Sequence, residues 1–207
     1  MFKKRKNTSE EGQERPNLFV ALQIDDPEIV GKIKRVQNTV IKQNGNLKEI
    51  SVHAQKSHIT THVFNADESK LNEVKKAIED AVQSHPSPLE LILKNVRDFS
   101  KKVIHVQVDT DDNFTPLNER IFSNLNRIEH VKNLQDSYKS PHVTLFKSSR
   151  AKKFKLKRAK IDLSPFEEFK DEDFGVQKCK GVQLLSMIKP PFNDYYYKYF
   201  EVPFGEP

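Results

Sequence analysis

The sequence predicts an α+β fold made of two related, pseudo-symmetric lobes. Three observations predict it. Strand-like apolar segments and helix-like 3.6-residue periodicity alternate along the chain. The layout strand–helix–strand occurs twice, with Leu18 and His58 separated by 40 residues and Val103 and His142 by 39. Each occurrence ends in a His-x-Thr triplet, His58-Ile59-Thr60 and then His142-Val143-Thr144. Identity between the halves is otherwise slight, so the repeat is one of architecture.

Residues 1–15 read as a disordered basic leader, and residues 16–207 as one bilobal domain. LFVALQI (Leu18 to Ile24) is apolar enough for a buried strand. Asp26 offers an N-cap and Pro27 the first helical position. Ile29, Ile33, Val36 and Val40 then trace one helical face, which Asn44-Gly45-Asn46 ends. The β-branched segment Ser57 to Phe64 reads as a strand. A second helix is expected from Asp67 to Ser84, with Leu71, Val74, Ile78, Ala81 and Val82 inward, stopped by Pro86 and Pro88. LELILKNV and KKVIHVQVD are strands; in the latter Val103, His105, Gln107 and Asp109 alternate against Ile104, Val106 and Val108. Thr115 and Pro116 start a third helix with Leu117, Ile121, Leu125 and Ile128 inside. SPHVTLFK is a strand, the acidic stretch Phe166 to Phe174 a short helix, and GVQLLSMI and YYYKYFEV the last two strands.

Composition narrows the function. The chain has 207 residues, 35 basic and 29 acidic, and a formal charge of +6, which suits one domain. No apolar run approaches the roughly 18 residues a membrane helix needs. The start MFKKRKNTSEE lacks the apolar core of a secretory signal. The single cysteine, Cys179, excludes an internal disulfide and multi-cysteine metal sites, and suggests the reducing cytoplasm or nucleus. It reads as an incidental free thiol. The six glycines form no GxGxxG or GxxxxGK, so Walker and Rossmann phosphate loops are absent. Lys3-Lys4-Arg5-Lys6 fits either a nuclear localisation signal or a solvated tail.

The paired triplets carry the chemistry. On a strand, residues i and i+2 share a face, so His58 projects with Thr60 and His142 with Thr144. If the lobes are related by a pseudo-twofold axis, two imidazoles and two hydroxyls converge on one cleft. Imidazole titrates near pH 6.5, so one ring can be protonated while the other is neutral. Phosphodiester cleavage needs that pair: a base for the attacking hydroxyl or water, and an acid for the leaving oxygen. The threonines can hold the non-bridging oxygens. No metal or other cofactor is required. His53, His85, His105 and His130 read as structural. On a strand His62 shares the face of His58 and Thr60, either orienting His58 or lining the rim; the spacing His58-x-x-x-His62 does not make a zinc pair, because Ile-Thr-Thr resists a helix and no glutamate lies between.

With these motifs the chain resembles the 2H phosphoesterases, a superfamily defined by paired His-x-Thr/Ser motifs on two lobes. Between about Pro16 and Val202 it is similar, more narrowly, to the phosphoesterase-like domain family of A-kinase anchoring protein 7, through PNLFVALQI, VIKQNGNL, SHITTHVF, SPHVTLFK and FGVQKCKGVQLLSMIK. The resemblance implies an RNA ligase/cyclic phosphodiesterase-like fold, each lobe an antiparallel sheet with helices on its outer face. It implies metal-independent hydrolysis of a 2′,5′-oligoadenylate linkage, with AMP-type nucleotides or RNA ends as partners. Cyclic-phosphodiesterase or RNA-end chemistry, and a non-catalytic nucleotide-binding module, use the same residues. His58, Thr60, His142 and Thr144 take the catalytic positions. Lys147 matches a lysine after the second motif and is expected to meet phosphate. Phe64 and Phe146 fall on the catalytic faces and either stack on a base or pack in the core.

The chain departs from its relatives in placing Thr61 and His62 after the first triplet. Kinase anchoring is not carried over, since no amphipathic helix is found outside the domain, and the segment before Pro16 is too short for a KH domain. A monomer that avoids membranes is expected. Between Arg150 and Lys160 lie Arg150, Lys152, Lys153, Lys155, Lys157, Arg158 and Lys160. They either draw oligonucleotides to the cleft or keep an edge strand soluble.

Overall fold

Alternating burial and helix caps set the first elements. The computed structural model describes residues 15–84, 88–154 and 160–205. The block Lys3–Lys6, His85 and much of the basic segment after Arg150 lie outside those residues. Strand β1 (Leu18–Gln23) is buried along nearly its whole length. Helix α1 (Pro27–Gln43) starts where expected: the Asp26 carboxylate accepts from the Glu28 and Ile29 amides at 2.9 and 3.1 Å. Its buried face is Ile29, Ile33, Val36 and Val40, and Asn44 caps its end. Strand β2 (His58–Asn65) follows, then α2 (Leu71–Val82), β3 (Glu90–Phe99) and β4 (Val103–Thr110). Helix α3 (Phe114–Asn126) begins before Thr115 because Asp111 Oδ1 accepts from the Asn113 and Phe114 amides. Strands β5 (Lys132–Asp136), β6 (His142–Lys147), β7 (Asp173–Lys178), β8 (Gly181–Ser186) and β9 (Lys198–Pro203) complete the chain.

Nine strands form one antiparallel sheet in the order β7-β3-β4-β6-β2-β1-β8-β9, with β5 also paired to β2. Exchanging β6 with β2, β4 with β1, β3 with β8 and β7 with β9 reproduces this order. The two lobes are therefore the two halves of one sheet, joined where β2 meets β6. The ladder between them is a single pair, Ile59 opposite Val143. Beyond it β2 turns to β5, pairing His62 with Asp136 and Val63 with Gln135.

One face of the sheet packs into the main core. Ile59, Val143, Leu91, Leu93, Val106 and Leu184 join the apolar faces of all three helices there. Helix α1 lies against β7, while α2 and α3 lie against each other, α2 reaching β9 and α3 reaching β5. The helix that follows β1 thus covers the arm built on β4, and the helix that follows β4 turns toward the arm built on β1. Among the described residues no helix is long and apolar enough to cross a membrane.

Two strands escaped the sequence. Lys132–Asp136 has no apolar alternation and becomes a strand because β2 offers it a free edge. The stretch Phe166 to Phe174, expected as a short helix, is not one. Only Ser164–Phe169 coils, as a 3-10 turn; from Asp173 the chain pairs with β3 as β7. Gly175 permits this, holding φ of +113° at an irregularity in that ladder. At the other end, YYYKYFEV is strand only from Lys198. Its tyrosines before that point belong to the β8–β9 connection.

Candidate active site

The site follows from the single pair that joins the lobes. In an antiparallel ladder the neighbours of Ile59 and Val143 also oppose each other, so His58 faces Thr144 and Thr60 faces His142. Ile59 and Val143 are wholly buried in the core, so the four motif side chains emerge on the other face of the sheet. All four are half-buried. The outer strands repeat the arrangement: Gln23 lies beside His58 and Ala21 beside Thr60, while Gln107 lies beside His142 and His105 beside Thr144.

Both histidines are held alike. His58 Nδ1 is 2.7 Å from the Lys56 carbonyl and His142 Nδ1 is 2.8 Å from the Ser140 carbonyl. A carbonyl only accepts, so each Nδ1 carries its hydrogen and donates. That leaves both Nε2 atoms as the ones available to substrate. Each ring is also caged by two others. Phe19 and Tyr196 flank His58 with centroids 5.3 and 5.0 Å away. Phe99 and His105 flank His142 at 5.0 and 5.3 Å.

The cages tune the rings. Burial pushes His58 down to about 4, and the charges of His142 and Lys147 push the same way against the Lys56 carbonyl. His142 is also lowered by burial and by Lys147, but less far. His105 is lowered to about 4 by burial and then by His142. Its buried Nδ1 has no hydrogen-bond partner; the Val103 carbonyl lies outside bonding geometry and offsets only part of the shift. Cations surround the floor. Lys147 is exposed and acts on both histidines. Lys56 Nζ lies 5.6 Å from the Tyr196 ring, and the charge of Arg150 reaches the Tyr196 phenol.

Three expected substrate-binding residues turn away. Ala21 pairs with Thr60 and Val20 with His62, so β2 carries an extra residue at Thr61; β6 carries one at Leu145 by the same count. Each bulge reverses the alternation beyond it. Phe64 and Phe146 therefore go to the main core, wholly buried, with Phe146 edge-on to Phe166. His62 also faces the core side, while Val63 and Lys147 swing to the face of the motifs. Protein groups satisfy the bulged backbone: the Thr61 carbonyl accepts from the Ser137 amide at 2.8 Å, and the Leu145 carbonyl from the Val52 amide and from buried Gln37 Nε2.

His62 neither orients His58 nor lines a rim. It packs against Phe122 and Tyr138. Its Nε2 donates to the Asn118 carbonyl of α3 at 3.1 Å, and its Nδ1 is 3.0 Å from the Thr61 hydroxyl. Burial holds it near 4, below the 6.5 of an unfolded imidazole. The folded state thus resists a proton that the unfolded chain accepts, so stability is full above pH 6.5 and declines as pH falls toward 4, by about 3 kcal/mol for this group. Melting temperatures of wild type and His62→Gln across that window should show a shallower acid decline in the variant. Equal slopes would refute this role.

His105, read as structural, belongs to the site, as do Phe19, Phe99 and Tyr196. The alternation on β4 already set His105 on the face of Gln107, and pairing with β6 makes that the motif face. No local pattern marks Tyr196, which arrives through the β8–β9 connection.

Residues 16–204 match the family model described as the AKAP7 2′5′ RNA ligase-like domain. A human protein, A-kinase anchor protein 7 isoform gamma, is 30% identical over 218 residues, spanning 99% of this chain and 61% of that protein. The chain therefore covers about three-fifths of that relative. Among solved structures, TT0787 of Thermus thermophilus superposes with a TM-score of 0.63 at 17% identity, covering 92% of this chain and 99% of that one. E. coli LigT complexed with 3′-AMP gives a TM-score of 0.56 at 15% identity, over 93% of this chain and 100% of LigT.

Proposed function

The chain belongs to the AKAP7 2′5′ RNA ligase-like domain family, and from that premise we propose that it hydrolyses the 2′,5′-phosphodiester of oligoadenylate or a related nucleotide ester with two histidines and no metal. Family and fold point to 2H phosphoesterase-like activity. One observation supports the two-histidine chemistry: two imidazole–threonine pairs opposed on adjacent strands, each ring anchored through Nδ1 to a backbone carbonyl.

The two cages divide the roles. His58, the more strongly lowered, is neutral and serves as the base; His142, in the more open cage, holds the proton and serves as the acid. The attacking hydroxyl or water forms the new P–O bond and leaves its proton on His58 Nε2. The opposite P–O bond breaks, and the leaving oxygen takes the proton from His142 Nε2. Thr60 and Thr144 donate to the non-bridging oxygens, and Lys147 balances their charge.

The test is to incubate the protein with 2′,5′-linked tri-adenylate, 3′,5′-linked tri-adenylate and 2′,3′-cyclic AMP, with and without chelator, and to identify products by chromatography. Consumption of the 2′,5′ substrate, undiminished by chelator, is expected. Opening of the cyclic ester alone would assign a cyclic phosphodiesterase instead. Nucleotide binding with all three esters intact would make the domain a binding module.

A further inference from the structure

We propose that Phe99 is a platform on which the nucleobase attached on the His142 side of the substrate stacks, an inference that rests on the reading of the site as a nucleotide site. The observation behind it is an exposed aromatic ring on a rigid support beside one motif histidine. Phe99 is 41% exposed, unusual for so large an apolar side chain at the end of a strand whose other large residues mostly point inward. Its inner face is covered by His105, stacked at 4.0 Å with the planes 19° apart. His142 is nearly perpendicular to it, 5.0 Å from Phe99 and 5.3 Å from His105. Distances so nearly equal place His142 against the edges of the stack, not over the outer face of Phe99. The exposed part of the Phe99 ring thus lies directly beside a motif histidine.

The support is pre-organised. The turn after Phe99 holds two non-glycine residues in the left-handed region, Ser100 at φ 52° and Lys101 at φ 57°. Such strain persists only where surroundings over-determine it. Here they do: the Lys102 amide donates to the Phe99 carbonyl at 2.9 Å and the Lys101 amide to Asp98 Oδ1 at 2.6 Å. The Lys101 and Lys102 carbonyls accept from the Ile161 and Ser148 amides at 2.7 and 2.8 Å. A ring fixed in this way loses little entropy when a base lies on it.

The pseudo-twofold axis supplies a control within the molecule. On the His58 side the position equivalent to Phe99 is Leu185, opposite Phe19 as Phe99 is opposite Val103, and it is wholly buried. Of the rings that cage His58, Phe19 is 3% exposed and edge-on to Tyr196, and half-buried Tyr196 lies under Lys56. The site is therefore symmetric in its imidazoles and asymmetric in its aromatics. A base finds a platform on one side only, so substrate polarity is set by Phe99.

The experiment compares AMP with ribose 5-phosphate by calorimetric titration, which needs no turnover and so separates this proposal from the hydrolytic one. Base stacking on an aromatic ring is lost on alanine substitution at a cost corresponding to about tenfold or more in affinity. Phe99→Ala should weaken AMP by about that factor and ribose 5-phosphate far less, while Phe99→Trp keeps AMP tight. Should Phe99→Ala fail to fold, Phe99→Leu takes its place, since it fills the position without a flat ring. Equal weakening of both ligands would show that Phe99 acts only through the placement of His142. Unchanged AMP affinity, or no AMP binding by the wild type, would overturn the platform outright.

Discussion

His58→Ala and His142→Ala are each expected to lower kcat/KM on the 2′,5′-linked substrate by about 10²–10⁴-fold. Neither ring has a substitute. Each Nδ1 is committed to a carbonyl, so the one nitrogen each ring can offer disappears with it. A further imidazole, His105, lies beneath Phe99 and beside His142, where it cannot reach the opposite side of the ester to replace His58. Because both protons move in one displacement, the double variant should lose far less than the product of the two single losses. The roles separate with a leaving group that needs no proton. A p-nitrophenyl ester should restore most activity to His142→Ala and little to His58→Ala. Rescue of His58→Ala instead would exchange the assignments, and near wild-type turnover by either single variant would end the two-histidine mechanism. Circular dichroism must accompany the assay, since each ring also fills an aromatic cage.

The second large effect is on pH. The productive form has His58 neutral and His142 protonated. His58 is held near 4 and His142 is lowered from its ordinary value less strongly, so the free enzyme carries that form mainly in the window between the two titrations. Above the His142 value the acid is lost, and kcat/KM should fall about tenfold per unit. Below about 4 the base is lost and the rate falls again. The optimum of kcat/KM therefore lies on the acid side of 6.5. A bound phosphodiester anion favours the protonated rings, so the kcat profile should sit at higher pH than that of kcat/KM. Lys147 opposes both protonations, and Lys147→Met should move the kcat/KM optimum upward. Profiles centred above pH 8, or without an alkaline limb, would contradict a histidine acid.

What the residues alone revealed was whatever depends on short spacing. Asp26-Pro27, the stripe from Ile29 to Val40 and the i, i+2 relation within each His-x-Thr are local, and each stands in the structure where its spacing put it. The halves could be matched because the interval between equivalent positions survived divergence even though identity did not. Alternation failed at Thr61 and Leu145. A bulge is a relation between two strands, and a single strand's sequence does not record how its neighbour counts against it. That one step moved His62, Phe64 and Phe146 into the core and brought Lys147 to the motif face.

The cages were equally out of reach of local pattern. Phe19 and Tyr196 meet at His58 from positions far apart in the chain, and Phe99 and His105 meet at His142 across a hairpin. Two histidines in like triplets are indistinguishable in a sequence. They become unlike once one is walled by a buried and a half-buried ring and the other stands beside an open one, because burial, not residue type, sets how readily an imidazole takes its proton.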